Sequence, residues 1–122
     1  MRQERRGIGM DFEVSIDEHA EAYSIIAVRG EIDLHTAPKV EYAIERAAQT
    51  NGAVVVDLSG VAFMDSTALS ALVRSKDSLQ ERGTSLRLAA PSQAVDRIFS
   101  VTGFSDYFDI FPSREAAIPD QG

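Results

Sequence analysis

Apolar and polar residues alternate from Phe12 through Val14 and Ile16, and a second β-rich run, Tyr23 to Val28, follows a polar turn. A period of two belongs to a strand with one face in a core, so the two runs predict an opening hairpin of antiparallel neighbours near one edge of a sheet. Beyond Gly30 the period changes. Ala37, Val40, Ala43, Ile44 and Ala47 recur at helical spacing, with Thr36 placed as N-cap and Pro38 in the first turn, where its missing N–H costs nothing. Asn51-Gly52 ends that helix, and Ala53-Val54-Val55-Val56 is a short, wholly apolar, β-branched run. Such a run predicts a strand buried on both faces, central in the sheet.

Helical spacing returns with Leu69, Leu72, Val73 and Leu79 and stops at Gly83, which is placed for a left-handed cap. Leu86, Leu88 and Ala89 predict another strand. Pro91 opens a helix carrying Val95, Ile98 and Phe99, and Gly103 closes it. A weak last strand around Phe108 to Phe111 precedes a short helix from Ser113 to Ile118, stopped by Pro119. Two strands followed by alternating helix and strand define an α/β class: a mixed, mostly parallel sheet with an N-terminal hairpin, covered by roughly four helices. The expected organisation is one domain over 11–118, with flexible ends at 1–10 and 119–122.

Composition narrows the chemistry. A chain of 122 residues, 44% hydrophobic and 25% charged, suffices for one core and is short for two domains. The absence of cysteine excludes disulfides, thiolate metal sites and thiol nucleophiles. A net charge of −7 opposes attraction to nucleic acid or anionic lipid and points to a protein partner. Arg2, Arg5 and Arg6 sit in a polar start read as a frayed terminus. No apolar run approaches the roughly 18 residues of a membrane span, and Met1 to Gly9 lacks the apolar stretch of a secretory signal, so the expectation is a cytoplasmic protein without membrane insertion.

In open sheets of this kind, function gathers where strand ends meet helix starts. That directs attention to Asp57-Leu58-Ser59-Gly60-Val61-Ala62-Phe63-Met64-Asp65-Ser66-Thr67-Ala68-Leu69, which joins the central strand to the second helix. Asp65 is placed as N-cap, leaving Ser66 and Thr67 at the first two helical positions among unpaired backbone N–H groups. A phosphoryl group on Ser66 would meet the positive end of the helix, worth about 0.3–1 kcal/mol, so the fold should tolerate it. It would also set about −1.5 to −2 charges beside Asp65, which disfavours any partner that desolvates this face. Farther along, Ser66, Ser70, Arg74, Asp77 and Glu81 form a polar stripe opposite Leu69, Leu72 and Leu79, the expected docking face.

Asp57-Leu58-Ser59 followed by Phe63-Met64-Asp65-Ser66-Thr67-Ala68-Leu69 resembles the hallmark of the STAS domain family, in particular the anti-sigma factor antagonists of bacterial partner-switching systems. Further matches are Gly30-Glu31-Ile32-Asp33 with Thr36-Ala37, and Leu86-Arg87-Leu88 through Val95 and Ile98 to Thr102-Gly103. The resemblance implies that Ser66 is phosphorylated by an anti-sigma factor acting as a serine kinase. Unphosphorylated protein binds that kinase and frees the sigma factor, phosphorylation dissolves the complex, and a separate serine phosphatase resets it. The chain itself would catalyse nothing and hold no cofactor or metal; the kinase supplies ATP and magnesium. Asp33, Asp65, Ser66, Thr67, Ser70, Arg74 and Asp77 are the expected partner-binding residues, with Thr67 a minor phosphoacceptor. The family often has glycine where this chain has Ala68, whose methyl strengthens the helix yet limits close approach of a partner.

Other roles fit the same composition. A STAS module can serve as a scaffold in a signalling assembly, a subunit of a transporter complex or a small-ligand sensor; Ser59-Gly60 alone is too little for a nucleotide-binding loop. A hydrolase would need Ser66 with His35 as base and Asp33 or Asp65 as orienter, but no Gly-x-Ser-x-Gly elbow is present, and His19 is expected in the hairpin turn. A receiver domain would need clustered carboxylates for a metal, whereas Asp17 and Glu18 lie beside the hairpin. Asp57 is better explained as accepting backbone hydrogen bonds within its own turn.

Overall fold

A computed structural model describes residues 12–19, 22–50 and 52–119. The amino-terminal segment with Arg2, Arg5 and Arg6, the part played by Asn51 in ending the first helix, and residues 120–122 of the tail lie outside the described residues. The elements run β1 (Glu13–His19), β2 (Tyr23–Ile32), α1 (Ala37–Ala48), β3 (Ala53–Met64), α2 (Ser66–Glu81), β4 (Leu86–Ala89), α3 (Gln93–Thr102), β5 (Asp109–Phe111) and α4 (Arg114–Ala117). The sheet has the order β1-β2-β3-β4-β5. β1 is antiparallel to β2, and every later pairing is parallel. The mixed sheet and its N-terminal hairpin are those the periodicity predicts.

Because the parallel strands follow one another in chain order, crossovers of the usual right hand deliver their helices to one face of the sheet. Ile26, Val56 and Leu88 are in register across β2, β3 and β4. With Val28, Val54 and Leu86 they form the main core against Val40 and Ile44 of α1, Leu72 and Leu79 of α2, and Val95 and Phe99 of α3. Val54, Val55 and Val56 have no exposed surface, which accounts for the unbroken apolar run: both faces are covered. Gly83 and Gly103 adopt φ of 81° and 83°, the left-handed caps their positions suggest.

Three details depart from expectation. β2 and β3 do not end at Val28 and Val56 but run on together to the pair Ile32–Met64. Two register shifts, where β3 carries an extra residue each time, break the alternation that would have revealed them. The bulges need glycine: Gly30 has φ 104°, and a Cβ on Gly60 would stand 2.8 Å from the Arg29 Cγ and 3.1 Å from the Val28 carbonyl oxygen. Second, Thr36 occupies the N-cap position of α1 without capping it. Its hydroxyl accepts from the Asp33 amide and donates to the Glu31 carbonyl, both at 2.8 Å. Third, α3 is opened by Ser92 rather than Pro91. The Ser92 hydroxyl accepts from the Val95 amide at 3.3 Å and donates to the Val61 carbonyl at 2.7 Å, tying α3 to the extended part of β3.

The opposite sheet face is covered by α4. Ile25, Val55 and Ala89 pack there with Ala117, and Asp57, only 8% exposed, faces Arg114. One Asp57 oxygen accepts from the Arg114 Nε and Nη2 at 2.9 and 2.7 Å; the other accepts from the Ser59 amide at 2.9 Å. The turn bond is as expected, and the arginine was invisible because it lies far along the chain. Burial works against the Asp57 charge, but the Ser59 amide and the Arg114 guanidinium outweigh it and hold the carboxyl below the usual carboxylate value of 3.8. A folded-state value below the unfolded one stabilises the fold above the unfolded value, and that contribution is lost as pH falls through the folded one. Asp57→Asn should therefore cost about 1–3 kcal/mol at neutral pH in chemical denaturation, because it weakens a charged, mostly buried contact. The gap to the parent chain should close as the melts are repeated below pH 4, in the range about the unfolded carboxylate value; a gap independent of pH would exclude this assignment.

Candidate functional site

The extended β2–β3 pair builds the site. Ile32 and Met64 are its last partners, so Asp33 and Asp65 emerge side by side from adjacent strand ends, and the Asp65 amide donates to the Ile32 carbonyl at 3.2 Å. Each aspartate then organises the chain that follows it. One Asp33 oxygen accepts from the His35 amide at 2.9 Å and the Thr36 amide at 3.1 Å, shaping the turn into α1. Partial burial opposes the Asp33 charge, and the Thr36 and His35 amides overcome it, holding this carboxyl below its ordinary value.

Asp65 has extended backbone, with φ −109° and ψ −171°, and one of its oxygens accepts from the Thr67 amide at 3.0 Å and the Ala68 amide at 3.1 Å. That is the N-cap anticipated for it, and it satisfies two of the donors a helix start leaves unpaired. The same oxygen accepts the Thr67 hydroxyl. Ser66 differs: it is exposed at the first position of α2, and its hydroxyl has no hydrogen-bond partner among the described residues. Of the two hydroxyls at this helix start, one is engaged and one is presented to solvent.

Ala68 is fully buried, so its methyl packs into the core and does not limit a partner's approach to the outer face. Ser66, Ser70, Arg74, Asp77 and Glu81 are all exposed and form the stripe that their spacing predicts. Its charges are tethered sideways. Arg74 makes two 3.0 Å bonds to the carboxylate of Glu41 on α1, and Asp77 accepts from the Tyr107 hydroxyl at 2.9 Å. Below them Glu45 of α1 accepts from Ser78 at 3.0 Å and pairs with Arg82. Exposed pairs of this sort contribute little because solvent screens them, whereas burying a side chain such as Leu72 contributes about 1.5–3 kcal/mol. The apolar seam therefore holds α2 in place, and the rungs fix how its outer face is presented.

Two grooves meet at Ser66. One, of about 550 Å³, runs between α2 and the end of α3 and is lined by Leu69, Ser70, Val73, Arg74, Thr102 and Phe104 besides Ser66. The other, of about 330 Å³, runs toward α1 and is lined by Leu34, Ala37, Pro38, Thr67, Ser70 and Arg74 besides Ser66. Leu34, Pro38, Thr102 and Phe104 were not foreseen as site residues. Leu34 carried a signal, an apolar side chain within a polar turn; the others are joined to Ser66 only by tertiary packing.

The triad constellation is not assembled: His35 is exposed, Asp33 is turned to backbone amides, and no hydrogen bond joins either to Ser66 among the described residues. His19 ends β1 and stacks on Tyr23 with ring centroids 4.5 Å apart, rather than standing in the turn. Among the described residues no group of three or more acidic or histidine side chains is placed to hold a metal, and no helix is long and apolar enough to cross a membrane.

A mixed sheet with α1, α2 and α3 on one face and α4 on the other, a bulged strand pair that ends on adjacent aspartates, and a capped helix opening on Ser66 define a STAS-type module. The STAS domain model matches residues 13–117, and the chain belongs to that family. It is 39% identical over 102 residues, covering 83% of this chain and 90% of the relative, to a protein named anti-sigma-B factor antagonist from Listeria monocytogenes. The crystal structure of an anti-sigma factor antagonist from Mycobacterium paratuberculosis superposes with a TM-score of 0.77 at 30% identity, over 88% of this chain and 91% of that one. The anti-sigma factor antagonist SpoIIAA in its unphosphorylated form gives a TM-score of 0.73 at 20% identity, over 87% of this chain and 93% of that one, a likeness of fold.

The Asp65 cap yields a stability test. Asp65→Ala should lower stability by about 0.5–2 kcal/mol, whereas Asp65→Asn, still a strong cap, should cost little. Equal losses for both in thermal melts would mean that the carboxylate acts otherwise than as a cap.

Proposed function

We propose that this chain is an anti-sigma factor antagonist: in its unphosphorylated form it binds an anti-sigma factor that is also a serine kinase, and phosphorylation of Ser66 releases that partner. The observation that carries this reading is the exposed Ser66 hydroxyl at the first position of α2, beside a Thr67 hydroxyl already held by Asp65. The names of the relatives support the role, and the geometry supports the choice of acceptor. Asp65 orients the helix start, and the stripe through Ser70, Arg74 and Asp77 forms the docking face together with Asp33 and Thr67. A cytoplasmic location follows from this role. The chain is the substrate and the binding module; the kinase brings ATP and magnesium, and a serine phosphatase restores the hydroxyl.

Transfer to Ser66 forms a bond between its Oγ and the γ-phosphorus of ATP and breaks the bond to the departing ADP oxygen, with the hydroxyl proton passing to a base on the kinase. The product dianion sits at the amino end of α2, where the helix dipole favours it by about 0.3–1 kcal/mol, so the domain stays folded. Docked against a partner it is another matter. Moving a complex from nearly all bound to nearly all free needs a differential of about 5.5 kcal/mol, and a newly buried, unpaired charge supplies about 2–5 kcal/mol of it before lost contacts are counted.

The test incubates the protein with candidate anti-sigma kinases and ATP, maps the phosphoryl group by mass spectrometry, and compares Kd values. Ser66→Ala should retain binding and accept no phosphate, while Ser66→Glu should bind about 30-fold or more weakly, the lower end of that charge penalty. Labelling of Thr67 or Ser70 in place of Ser66, or equal binding by both variants, would overturn the reading.

A further inference from the structure

The outward crest of α1 is an exposed, partly apolar surface that the Ser66 reading leaves unused. Leu34 and Tyr42 are each 65% exposed, and Pro38 between them is exposed as well. Four-residue spacing stacks Pro38, Tyr42 and Arg46 along the helix surface, and Leu34 extends the line toward α2 through the groove it shares with Ser66. The crest is thus continuous with the phosphosite.

Its charge is the reverse of the molecule's. Both α1 carboxylates are committed inward, Glu41 to Arg74 and Glu45 to Ser78 and Arg82. The cations have no such carboxylate partner among the described residues. Lys39 lies 5.9 Å from the centre of the Phe12 ring, and neither it nor Arg46 has a carboxylate partner among the described residues. On a chain of net charge −7, α1 carries Lys39 three residues before Tyr42 and Arg46 four residues after it. Apolar anchors of the tyrosine and leucine kind, flanked by cations, fit a partner surface that offers an apolar hollow rimmed with carboxylates.

We infer that the crest Leu34–Pro38–Tyr42–Arg46, with Lys39, is a second docking surface for the same protein that engages Ser66, and that this partner meets it with an apolar hollow rimmed by aspartate and glutamate. The inference rests on the Ser66 reading for the identity of the partner and adds to it a surface that starts at the Ser66 groove and runs away from it along α1. Ser66 decides whether the complex survives; the α1 crest decides which kinase is accepted. The carboxylates of Glu41 and Glu45, were they not drawn toward α2, would cancel the attraction.

The experiment uses the full chain carrying Ser66→Ala and the same panel of anti-sigma kinases, with binding followed by calorimetry at two salt concentrations. Tyr42→Ala should weaken binding about tenfold or more, as for a buried aromatic anchor, and Tyr42→Phe should restore it. Lys39→Glu with Arg46→Glu should slow association, an effect that shrinks as salt rises. Thermal melts that match the parent chain would show that the variants are folded. Binding within twofold of the parent for both sets would overturn the inference, as would sedimentation showing a dimer of this chain that Tyr42→Ala dissolves. Should Ser66→Glu bind normally while Tyr42→Ala does not, the phosphorylation reading fails and the docking surface stands.

Discussion

The hydrogen bond from the Asp65 amide to the Ile32 carbonyl joins the ends of β2 and the bulged β3, and the functional face depends on it. Without the bulges, β2 and β3 would stop where their simple pairing stops. With them, both strands continue to Ile32 and Met64 and release two aspartates side by side. One aspartate shapes the approach to α1 and the other caps α2, so the starts of the two helices are positioned relative to each other by a strand pair rather than by loops. A hydroxyl placed in this way is held at a fixed height and angle, as the proposed phosphoacceptor must be for recognition by an enzyme active site.

The rest of the molecule reinforces that placement. Ser92 binds the Val61 carbonyl and thereby fastens α3 to the extended part of β3, while the Asp57–Arg114 pair fastens α4 beneath it. The sheet is thus clamped on both faces near the bulged part of β3. Rigidity here supports the proposed switch, which works by adding charge to a preformed surface. A local disordering would demand a loosely held helix start, whereas this one has a capped amino end, a buried apolar seam and cross-helix rungs.

Much of the fold could be read from the chain because its long elements obey one period each. The helices on Val40 and Ile44, on Leu72 and Leu79, and on Val95 and Phe99 present their apolar residues at the expected spacing, and the all-valine run marked the centre of the sheet. The Asp65 cap and the exposed stripe were legible for the same reason: both are local. What escaped was made by partners distant in sequence. The bulged extension disguised itself as a loop, since an inserted residue erases alternation. Thr36 looked like a cap because it stands at the right offset, yet its hydroxyl is drawn back to Glu31. Pro91 looked like a helix opener, but Ser92 can both accept from α3 and donate to β3, which proline cannot.

The contrast between Ser66 and Thr67 shows how a single cap can assign roles to adjacent hydroxyls. An N-cap carboxylate is satisfied by amides two and three residues on, and a threonine hydroxyl two residues on falls within reach of the same oxygen. Engaged there, it is turned toward the cap rather than outward to the solvent side from which a phosphoryl donor would approach. The residue between cap and threonine projects outward at the first helical position, where no backbone acceptor precedes it. On the proposed function, the chain therefore needs no further device to separate the acceptor Ser66 from its neighbour: Asp65 withdraws the Thr67 hydroxyl and, by fixing the helix start, leaves Ser66 exposed.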